Sequence, residues 1–299
     1  MNRRAPETHL LVCTGNSRSR EARALVRVME AEFLAGKGRR GGLARFYPDV
    51  FASREMGRLY GLVEARGKVV AALGARLVRI RSDGRRRSAA MIGFVVTVPS
   101  HRGCGLGQRL MTMTAEHLRE AGIDYGVLWT RRLDLYRKCG WQLADPSLIG
   151  RWQGDGVPTI DATWSKAPFA PALRGRLNRL RPQPALERPV LIYDKLPYPA
   201  ERLWTATVPG AYLLIGEKGD EAQALEWGGN PDRVTGLMTA AARRWPGLTL
   251  RGSTSDPLSR RLARSGLVSF EAEPAAMWIS LAHPFRRRDG IWIPRLDRI

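Results

Sequence analysis

Apolar positions in the first half of the chain follow helical and strand periods in turn. Residues 18–34 repeat apolar side chains every three or four positions, which predicts an amphipathic helix. A second long helix is predicted to begin within the glycine-rich segment at residues 102–107 and to end at Gly122. The other elements predicted here are strands at residues 9–14, 59–65, 69–81, 89–98, 125–130 and 141–144, and short helices at residues 47–53 and 133–138.

The second half repeats this order of elements. Six prolines interrupt residues 154–189, where the periodicity fades and a linker is predicted. Beyond residue 190, the predicted elements are strands at residues 211–216, 222–227, 248–250 and 277–281, a long helix at residues 231–245 and a short helix opened by Asp256 and Pro257. Strand, long helix, strand, short helix and strand recur at an offset of about 125 residues, which indicates a duplicated fold.

Length and composition agree with two globular domains. The chain has 299 residues, of which 44% are apolar and 26% charged, and a domain is typically about 150 residues long. No apolar run reaches the roughly 18 residues that a membrane-spanning helix needs. The apolar stretch at residues 10–13 is too short for the core of a signal peptide, so a cytoplasmic protein without a membrane span is expected. The three cysteines lack metal-ligand spacing, and no metal is expected.

The strong positive charge raises a second class of function. The formal net charge is +21, and 43 of the 49 basic residues are arginine. Such a charge attracts polyanions at low salt. The basic runs at residues 85–87 and 286–288 are predicted to lie in loops without interleaved aromatic residues, unlike a groove that binds single strands. Nucleic acid is therefore kept as a partner that the sequence does not favour.

One glycine-rich segment carries the strongest chemical signal. Arg102-Gly103-Cys104-Gly105-Leu106-Gly107 lies where a predicted strand gives way to a predicted helix. Glycines let successive backbone N–H groups point at one anion, and the helix N-terminus and Arg102 add positive charge. The dinucleotide fingerprint fails because position 108 is glutamine, and the Walker pattern fails because no Gly-Lys-Ser/Thr is present. A pyrophosphate site is the favoured interpretation, and a glycine-rich turn without a ligand is the alternative.

Two motifs resemble those of a known family. Val96-Thr97-Val98-Pro99-Ser100-His101, together with the glycine-rich segment, resembles the acetyl-CoA loop of the GNAT N-acetyltransferases, whose Arg/Gln-x-x-Gly-x-Gly/Ala pattern is met by Arg102, Gly105 and Gly107. Leu135-Tyr136-Arg137-Lys138-Cys139-Gly140-Trp141 resembles the family's second signature. The resemblance covers about residues 8–150. The tandem arrangement is similar to the enhanced-intracellular-survival type, but this chain is too short for that type's third domain, so its substrate is not carried over.

The resemblance implies a fold and a cofactor. The fold would be α+β, with a mixed, mostly antiparallel sheet flanked by helices, duplicated as two lobes. Residues 1–153 would be the acetyltransferase domain, 154–189 a Pro/Arg-rich linker and 190–299 a degenerate lobe. Acetyl-CoA would be a co-substrate, its pantetheine amides paired with backbone groups of Val96 and Val98 beside Thr97. The N–H groups of Arg102, Gly103, Cys104, Gly105, Leu106 and Gly107 would hold the pyrophosphate, and an N–H near Phe94 or Val95 the thioester oxygen.

The resemblance also assigns a general acid and leaves the base open. Tyr136 would protonate the leaving CoA thiolate, because a phenol with a pKa of about 10 suits a thiol of similar basicity. Its alternative role is an ordinary half-buried aromatic residue. The candidates for the base are His101, which could instead pack the loop, and Asp134, which could instead cap a helix. A water chain and the terminal carboxylate are the other options.

The second lobe is expected to lack the cofactor. Aligning the halves places Leu262 at the position of Tyr136, and residues 227–232 at the position of the phosphate loop. That segment has no loop arginine, and Asp232 would repel a phosphate. The lobe would close the acceptor cleft or act as an independent module on a flexible linker. The predicted function is direct acetyl transfer from acetyl-CoA to an amine; the alternative is a catalytically silent acyl-CoA-binding or nucleic-acid-binding regulator.

Overall fold

The chain folds into two compact units, and each unit is built from more than one segment of the sequence. The computed structural model describes residues 6–35, 41–82, 84–154, 157–181, 200–273, 275–284, 291, 293 and 297–299. Unit 1 comprises residues 1–144, 275–289 and 299, and unit 2 comprises residues 145–274 and 290–298. None of the helices in this described part of the chain is long and apolar enough to cross a membrane.

The elements follow one another through both units. Unit 1 begins with β1 (Thr8–Thr14), α1 (Arg20–Phe33), α2 (Leu43–Phe46), α3 (Pro48–Phe51), β2 (Gly57–Glu64), β3 (Val69–Ser82), β4 (Arg85–Thr97), α4 (Leu106–Glu120), β5 (Tyr125–Trp129), α5 (Leu133–Arg137) and β6 (Gln142–Leu143). Unit 2 contains β7 (Ser147–Trp152), β8 (Trp164–Lys166), α6 (Pro171–Leu180), β9 (Arg202–Val208), β10 (Ala211–Lys218), β11 (Glu221–Gly229), α7 (Pro231–Arg244), β12 (Thr249–Ser253), α8 (Pro257–Arg264) and β13 (Val268–Ala272). The chain returns to unit 1 with β14 (Ala276–Ser280).

Unit 1 is a seven-stranded sheet with a helix packed on each face. The strand order is β1-β2-β3-β4-β5-β14-β6, and every pair is antiparallel except the parallel pair β4–β5. One face packs against α4 and the other against α1. The mixed, mostly antiparallel sheet confirms the predicted fold class.

The helices of unit 1 form where the sequence supplies a cap and an apolar stripe. The Ser19 hydroxyl accepts the N–H of Ala22 at 3.0 Å and starts α1, which buries Ala22, Leu25 and Met29. Helix α4 buries a broader face made of Leu106, Leu110, Met111, Thr114, Ala115 and Leu118. Met113 is only partly buried, because the buried face of α4 includes Met111 instead.

Unit 2 repeats the architecture. Its strand order is β13-β7-β12-β11-β10-β9-β8, with β11–β12 as its parallel pair. Helices α7 and α8 pack on one face and α6 on the other. The Asp256 carboxylate accepts the N–H of Ser259 at 2.7 Å and caps α8, as the Asp-Pro pair predicts. The two units confirm the predicted duplication of the fold.

Two strands, one in each sheet, differ from the predicted repeat. The prediction assigns residues 277–281 to the second lobe, but β14 pairs with β5 and β6 in the sheet of unit 1. Conversely, β7 lies between β12 and β13 in unit 2, the position that β14 occupies in unit 1. Each sheet thus receives its inserted strand from a distant part of the sequence, which linear periodicity does not show. The first boundary accordingly falls at residue 144 rather than at the predicted 153.

Two further segments also differ from the sequence-based expectation. The predicted linker at 154–189 contains β8 and α6, and Leu177 of α6 is fully buried among apolar residues of unit 2. Helix α6 has few apolar residues and several arginines between them, so its sequence shows no clear helical hydrophobic period. Residues 85–87, predicted as a loop, begin β4. Residues 182–199 and the basic run at 286–288 lie outside the described residues.

Candidate active site

A cavity of about 610 Å³ opens in unit 1 where β4 ends and α4 begins. Its walls come from α1, β4, the loop before α4, α4 itself, and α5 with the residues beside it. The lining residues are Glu32, Val95, Val96, Thr97, His101, Arg102, Gly103, Gly105, Leu106, Gly107, Gln108, Met111, Arg132, Leu135, Tyr136 and Cys139. The structure therefore brings the glycine-rich segment and Tyr136 to one cavity, although more than two dozen residues separate them in the sequence.

The cavity exists because β4 and β5 separate. Their parallel ladder pairs Ala89–Met91 with Tyr125–Val127 and ends there. Strand β4 continues to Thr97 along its other neighbour, β3. Beyond Met91, the edge of β4 that faces β5 therefore borders an opening rather than a strand. An extended molecule in this opening could form hydrogen bonds with the backbone of β4, as an added strand would.

Phe94 marks a bulge on the wall of this opening. It has a φ of +57°, a region that bulky residues rarely occupy, and the β3–β4 register shifts between Ala72 and Gly74. Its ring packs edge-on against Phe33, Tyr47 and Phe51, with centroids 5.5, 4.7 and 5.0 Å away. This packing holds a backbone conformation that is costly by itself. The bulge redirects the residues that follow, and Val95 lines the cavity.

The backbone groups of β4 do not all face the cavity. The N–H of Val98 donates to the carbonyl of Val70 at 3.0 Å, so this group is already paired with β3. Because alternate residues of an antiparallel ladder direct their hydrogen bonds to the same neighbour, Val96 also faces β3. The structure thus differs from the predicted pairing of pantetheine with Val96 and Val98. The sequence located the strand but did not show which of its residues face β3. By the same alternation, Thr97 directs its backbone groups to the other side.

The loop between β4 and α4 leaves the helix N-terminus open. Gly103 and Gly105 have φ values of +80° and +74°, a conformation that favours glycine, and Gly105 is the residue immediately before the helix. Within the described part of the chain, no side chain caps α4. The first backbone N–H groups of a helix have no partner within it, so those at Leu106 and Gly107 are available to an anion at the cavity. Cys104 packs against the apolar core instead of lining the cavity.

Arg102 is held by a carboxylate that the sequence did not single out. Its Nη2 lies 2.9 Å from Oε2 of Glu32 on α1, and its Nε donates to the carbonyl of Thr97 at 3.1 Å. Glu32 also lines the cavity, and Arg132 supplies a second guanidinium. Seventy positions separate Glu32 from Arg102, and no motif links them. Only the fold reveals this ion pair.

The candidate bases differ in their surroundings. His101 lines the cavity, but its Nε2 lies 2.9 Å from Glu64 Oε1 and its Nδ1 lies 2.8 Å from the Ser100 hydroxyl. These contacts fasten the loop to the end of β2, in agreement with a packing role. Asp134 is exposed in the first turn of α5, and its carboxylate accepts from Arg137 at 2.9 Å. Ile299 packs beside Gly93, next to the bulge.

Tyr136 is half-buried in the cavity wall. It lies on α5, and its ring packs edge-on against Trp141 with centroids 6.4 Å apart. Burial raises the pKa of the Tyr136 phenol above its ordinary value, and the neighbouring Cys139 adds to the rise. Burial also raises the pKa of the Cys139 thiol. Both groups are therefore neutral at pH 7, and Tyr136 is a protonated hydrogen-bond donor.

Unit 2 closes the equivalent helix terminus with its own side chain. Only Asn230 stands between β11 and α7, and its side-chain oxygen accepts the N–H groups of Asp232 and Arg233 at 3.0 and 3.2 Å. Pro231 at the first helical position has no N–H to offer. Asp232 also forms an ion pair with Arg261. Leu262, aligned with Tyr136, is buried in the core.

A protein-family model matches part of the sequence of unit 1. The model of the acetyltransferase (GNAT) domain matches residues 42–144, which include β4, the glycine-rich loop, α4 and α5. Residues 42–144 of unit 1 are thus similar to a GNAT acetyltransferase domain. The resemblance predicted from the loop and the Tyr136 signature is confirmed at the level of this family, and acetyl transfer is the activity that the family implies. No curated protein matches the sequence of the chain.

Solved structures extend the GNAT fold to both units. A probable N-acyltransferase from Enterococcus faecalis V583 is 12% identical, with a TM-score of 0.70 over 92% of this chain and 73% of that chain. Eis1 from Mycobacterium abscessus is 15% identical, with a TM-score of 0.64 over 92% of this chain and 74% of that chain. A tandem GNAT protein from the clavulanic acid biosynthesis pathway is 12% identical, with a TM-score of 0.52 over 94% of this chain and 100% of that chain. At these identities the similarity shows the fold alone.

Proposed function

We propose that unit 1 transfers an acetyl group from acetyl-CoA to an amine. The observation that carries this proposal is that the uncapped N-terminus of α4 and the protonated Tyr136 open on one cavity. The first feature suits a pyrophosphate, and the second suits a leaving thiolate.

The cofactor is proposed to bind along the opening between β4 and β5. The N–H of Arg102 donates to the carbonyl of Pro99 at 3.3 Å, so the N–H groups of residues 103–107 hold the pyrophosphate. The Arg102 side chain transfers from Glu32 to a phosphate oxygen. The pantetheine follows Val95, which lines the cavity beside the bulge, and Thr97, whose backbone groups face away from β3. Arg132, in the same cavity, adds positive charge for a phosphate of the nucleotide. This arrangement presents the thioester to the bulge at Phe94.

The reaction proposed is a direct attack on the thioester. The amine nitrogen bonds to the carbonyl carbon, and an N–H near Phe94 or Val95 stabilises the oxygen that becomes negative. The carbon–sulfur bond then breaks, and Tyr136 gives its proton to the CoA thiolate. The amine loses its extra proton to a base, which His101 or a water chain could supply. Solvent returns a proton to Tyr136, so the enzyme is unchanged after one turnover.

Unit 2 is proposed to keep the fold without the cofactor. Its helix N-terminus is capped by Asn230, and Leu262 replaces the tyrosine. One acetyl-CoA site per chain follows from this assignment. The domain division proposed from the sequence changes accordingly: a catalytic unit with an inserted C-terminal strand, and a second unit that includes much of the segment predicted as a linker.

Release of free CoA tests the proposed function. The full chain is incubated with acetyl-CoA and a panel of amines, and acetylated products are identified by mass spectrometry. Amine-dependent CoA release that is lost in Arg102→Ala supports the proposal. Binding of acetyl-CoA without acetylation of any amine, in the panel or in a cell extract, would instead favour the silent acyl-CoA-binding alternative.

A further inference from the structure

The β3–β4 hairpin extends beyond the strands on either side of it. The paired part of β2 reaches only Arg76 on β3, and β5 pairs only with Ala89–Met91 of β4. Residues 77–82 and 85–88 therefore form a two-stranded ribbon, joined by a turn in which Gly84 has a φ of +71°. The sequence pattern predicted a loop for the basic run at 85–87 and did not reveal this surface.

The ribbon carries five arginines in a short length of chain. We call Arg79, Arg81, Arg85, Arg86 and Arg87 the basic ribbon. Arg81 and Arg86 are Cα partners, so they share one face, and Arg79 lies on that face two positions away. All three are exposed.

The base of the ribbon is fastened to the rest of unit 1. The N–H and hydroxyl of Ser88 both donate to one carboxylate oxygen of Asp124, at 2.7 and 3.0 Å. Arg87 lies 3.9 Å from the other oxygen. On the opposite face, Val78 and Ile80 are buried. These contacts hold the ribbon against unit 1, with Arg79, Arg81 and Arg86 on its exposed face.

We propose that the basic ribbon binds the phosphate backbone of double-stranded nucleic acid. A two-stranded ribbon fits the major groove of a duplex. A guanidinium group can donate two parallel hydrogen bonds to the oxygens of one phosphate. The ribbon has no aromatic residue on which an unpaired base could stack, which favours a duplex over a single strand. Apart from Gly84, its exposed positions in the described part of the chain are arginines, which disfavours insertion into a membrane.

This surface is separate from the acetyl-CoA cavity. The ribbon contains the start of β4, whereas the cavity lies at the other end of that strand. Arg86 of the ribbon and Val95 of the cavity are nine residue steps apart, which at roughly 3.3 Å each is a span of up to about 30 Å. Loss of one function therefore need not affect the other, and acetyl-CoA binding becomes an internal control for folding.

Fluorescence anisotropy with a labelled 30-base-pair DNA duplex of mixed sequence tests the proposal. The variant Arg79→Gln/Arg81→Gln/Arg86→Gln is compared with the matched control Arg243→Gln/Arg260→Gln/Arg264→Gln, which removes three exposed charges from α7 and α8. Each phosphate contact contributes about 0.9 to the slope of log K against log salt concentration, so the ribbon variant should lower that slope by up to about 2.7. Its affinity should fall about tenfold or more, while the control variant stays within about threefold of the unaltered chain.

Additional variants and ligands distinguish binding by the ribbon from a general effect of charge. Substitution of the same three arginines by lysine should retain most of the salt dependence. If the triple glutamine variant fails to fold, Arg79→Gln/Arg81→Gln replaces it and should lower the slope by up to about 1.8. Equal losses in ribbon and control variants would overturn the proposal, because binding would then follow net charge alone. Unchanged binding by the ribbon variant, or ribbon-dependent binding of phosphatidylserine vesicles or of single-stranded DNA in preference to the duplex, would also overturn it.

Discussion

Among single residues, the loop arginine is engaged before any cofactor arrives. Arg102 and Glu32 are 53% and 44% exposed, and an ion pair this exposed contributes about 1 kcal/mol or less. Pyrophosphate must replace Glu32 at this guanidinium. Glu32→Gln should therefore tighten acetyl-CoA binding by about fivefold or less, as measured by calorimetry. Glu116→Gln on α4 makes the same charge change elsewhere and should leave the affinity unchanged; weaker binding in Glu32→Gln would show that Glu32 helps to hold the cofactor.

Substitution of Tyr136 distinguishes an effect on the chemical step from an effect on cofactor binding. Tyr136→Phe removes one hydroxyl, so kcat should fall by about 100-fold or more while the Kd of acetyl-CoA changes little. Tyr60→Phe on β2 removes a different buried hydroxyl and should keep kcat. A wild-type kcat in Tyr136→Phe, with acetyl transfer shown to be rate-limiting, would refute the general-acid role.

The pH dependence follows from the direction of the pKa shift. The phenol acts in its protonated form, and burial raises its pKa above the ordinary value of about 10. The acid therefore stays active through neutral and mildly alkaline pH, and its ionisation should reduce kcat only above about pH 10. A pH–rate profile should show this decline in the unaltered chain and lose it in Tyr136→Phe. A decline with a pKa well below 10 that disappears in the same variant would contradict the shift.

Among the secondary-structure elements, the two long crossover helices differ at their first residue. Gly105 precedes α4 and has no side chain to cap it, whereas the Asn230 side chain caps α7 with two hydrogen bonds. Asn230→Ala should lower the free energy of unfolding by about 1 kcal/mol, as measured by urea denaturation, and leave acetyl-CoA binding intact. Loss of binding in this variant would place a cofactor function in unit 2.

Local sequence patterns predicted the helices and strands better than they predicted which residues and strands come together in the fold. The apolar stripe of α1 and the glycines before α4 act within a few residues, so the sequence indicated both the helix and the open loop. The Glu32–Arg102 pair and the side of β4 that faces the cavity depend on tertiary contacts and hydrogen-bond parity. Strand β14 was recognised as a strand, but its place between β5 and β6 depends on topology.

In the molecule as a whole, the catalytic unit depends on a strand from near the end of the chain. Strand β14 fills the sheet between β5 and β6, and its Met277 and Trp278 are 0% and 1% exposed. A fragment of residues 1–155 lacks this strand, so it should be insoluble or fail to unfold cooperatively in a thermal melt. A fragment with the Tm and kcat/KM of the full chain would show that β14 is dispensable.

Trp278→Ala provides the same test in the full chain. Removing a buried tryptophan side chain should cost about 3–5 kcal/mol of unfolding free energy, because a cavity remains in the sheet of unit 1. Chemical denaturation measures this loss. A change below about 1 kcal/mol would contradict the central packing of β14.

Titration calorimetry of the full chain with acetyl-CoA decides whether the cofactor belongs to unit 1. We expect one site per chain, because the open helix N-terminus and glycine-rich loop occur in unit 1 and the corresponding terminus in unit 2 is capped. Binding should be abolished in Arg102→Ala/Gly105→Asp, which places a negative charge where the phosphates lie, and retained in Tyr136→Phe. Two equal sites, or unchanged binding in the double variant, would contradict the assignment of the cofactor to this loop.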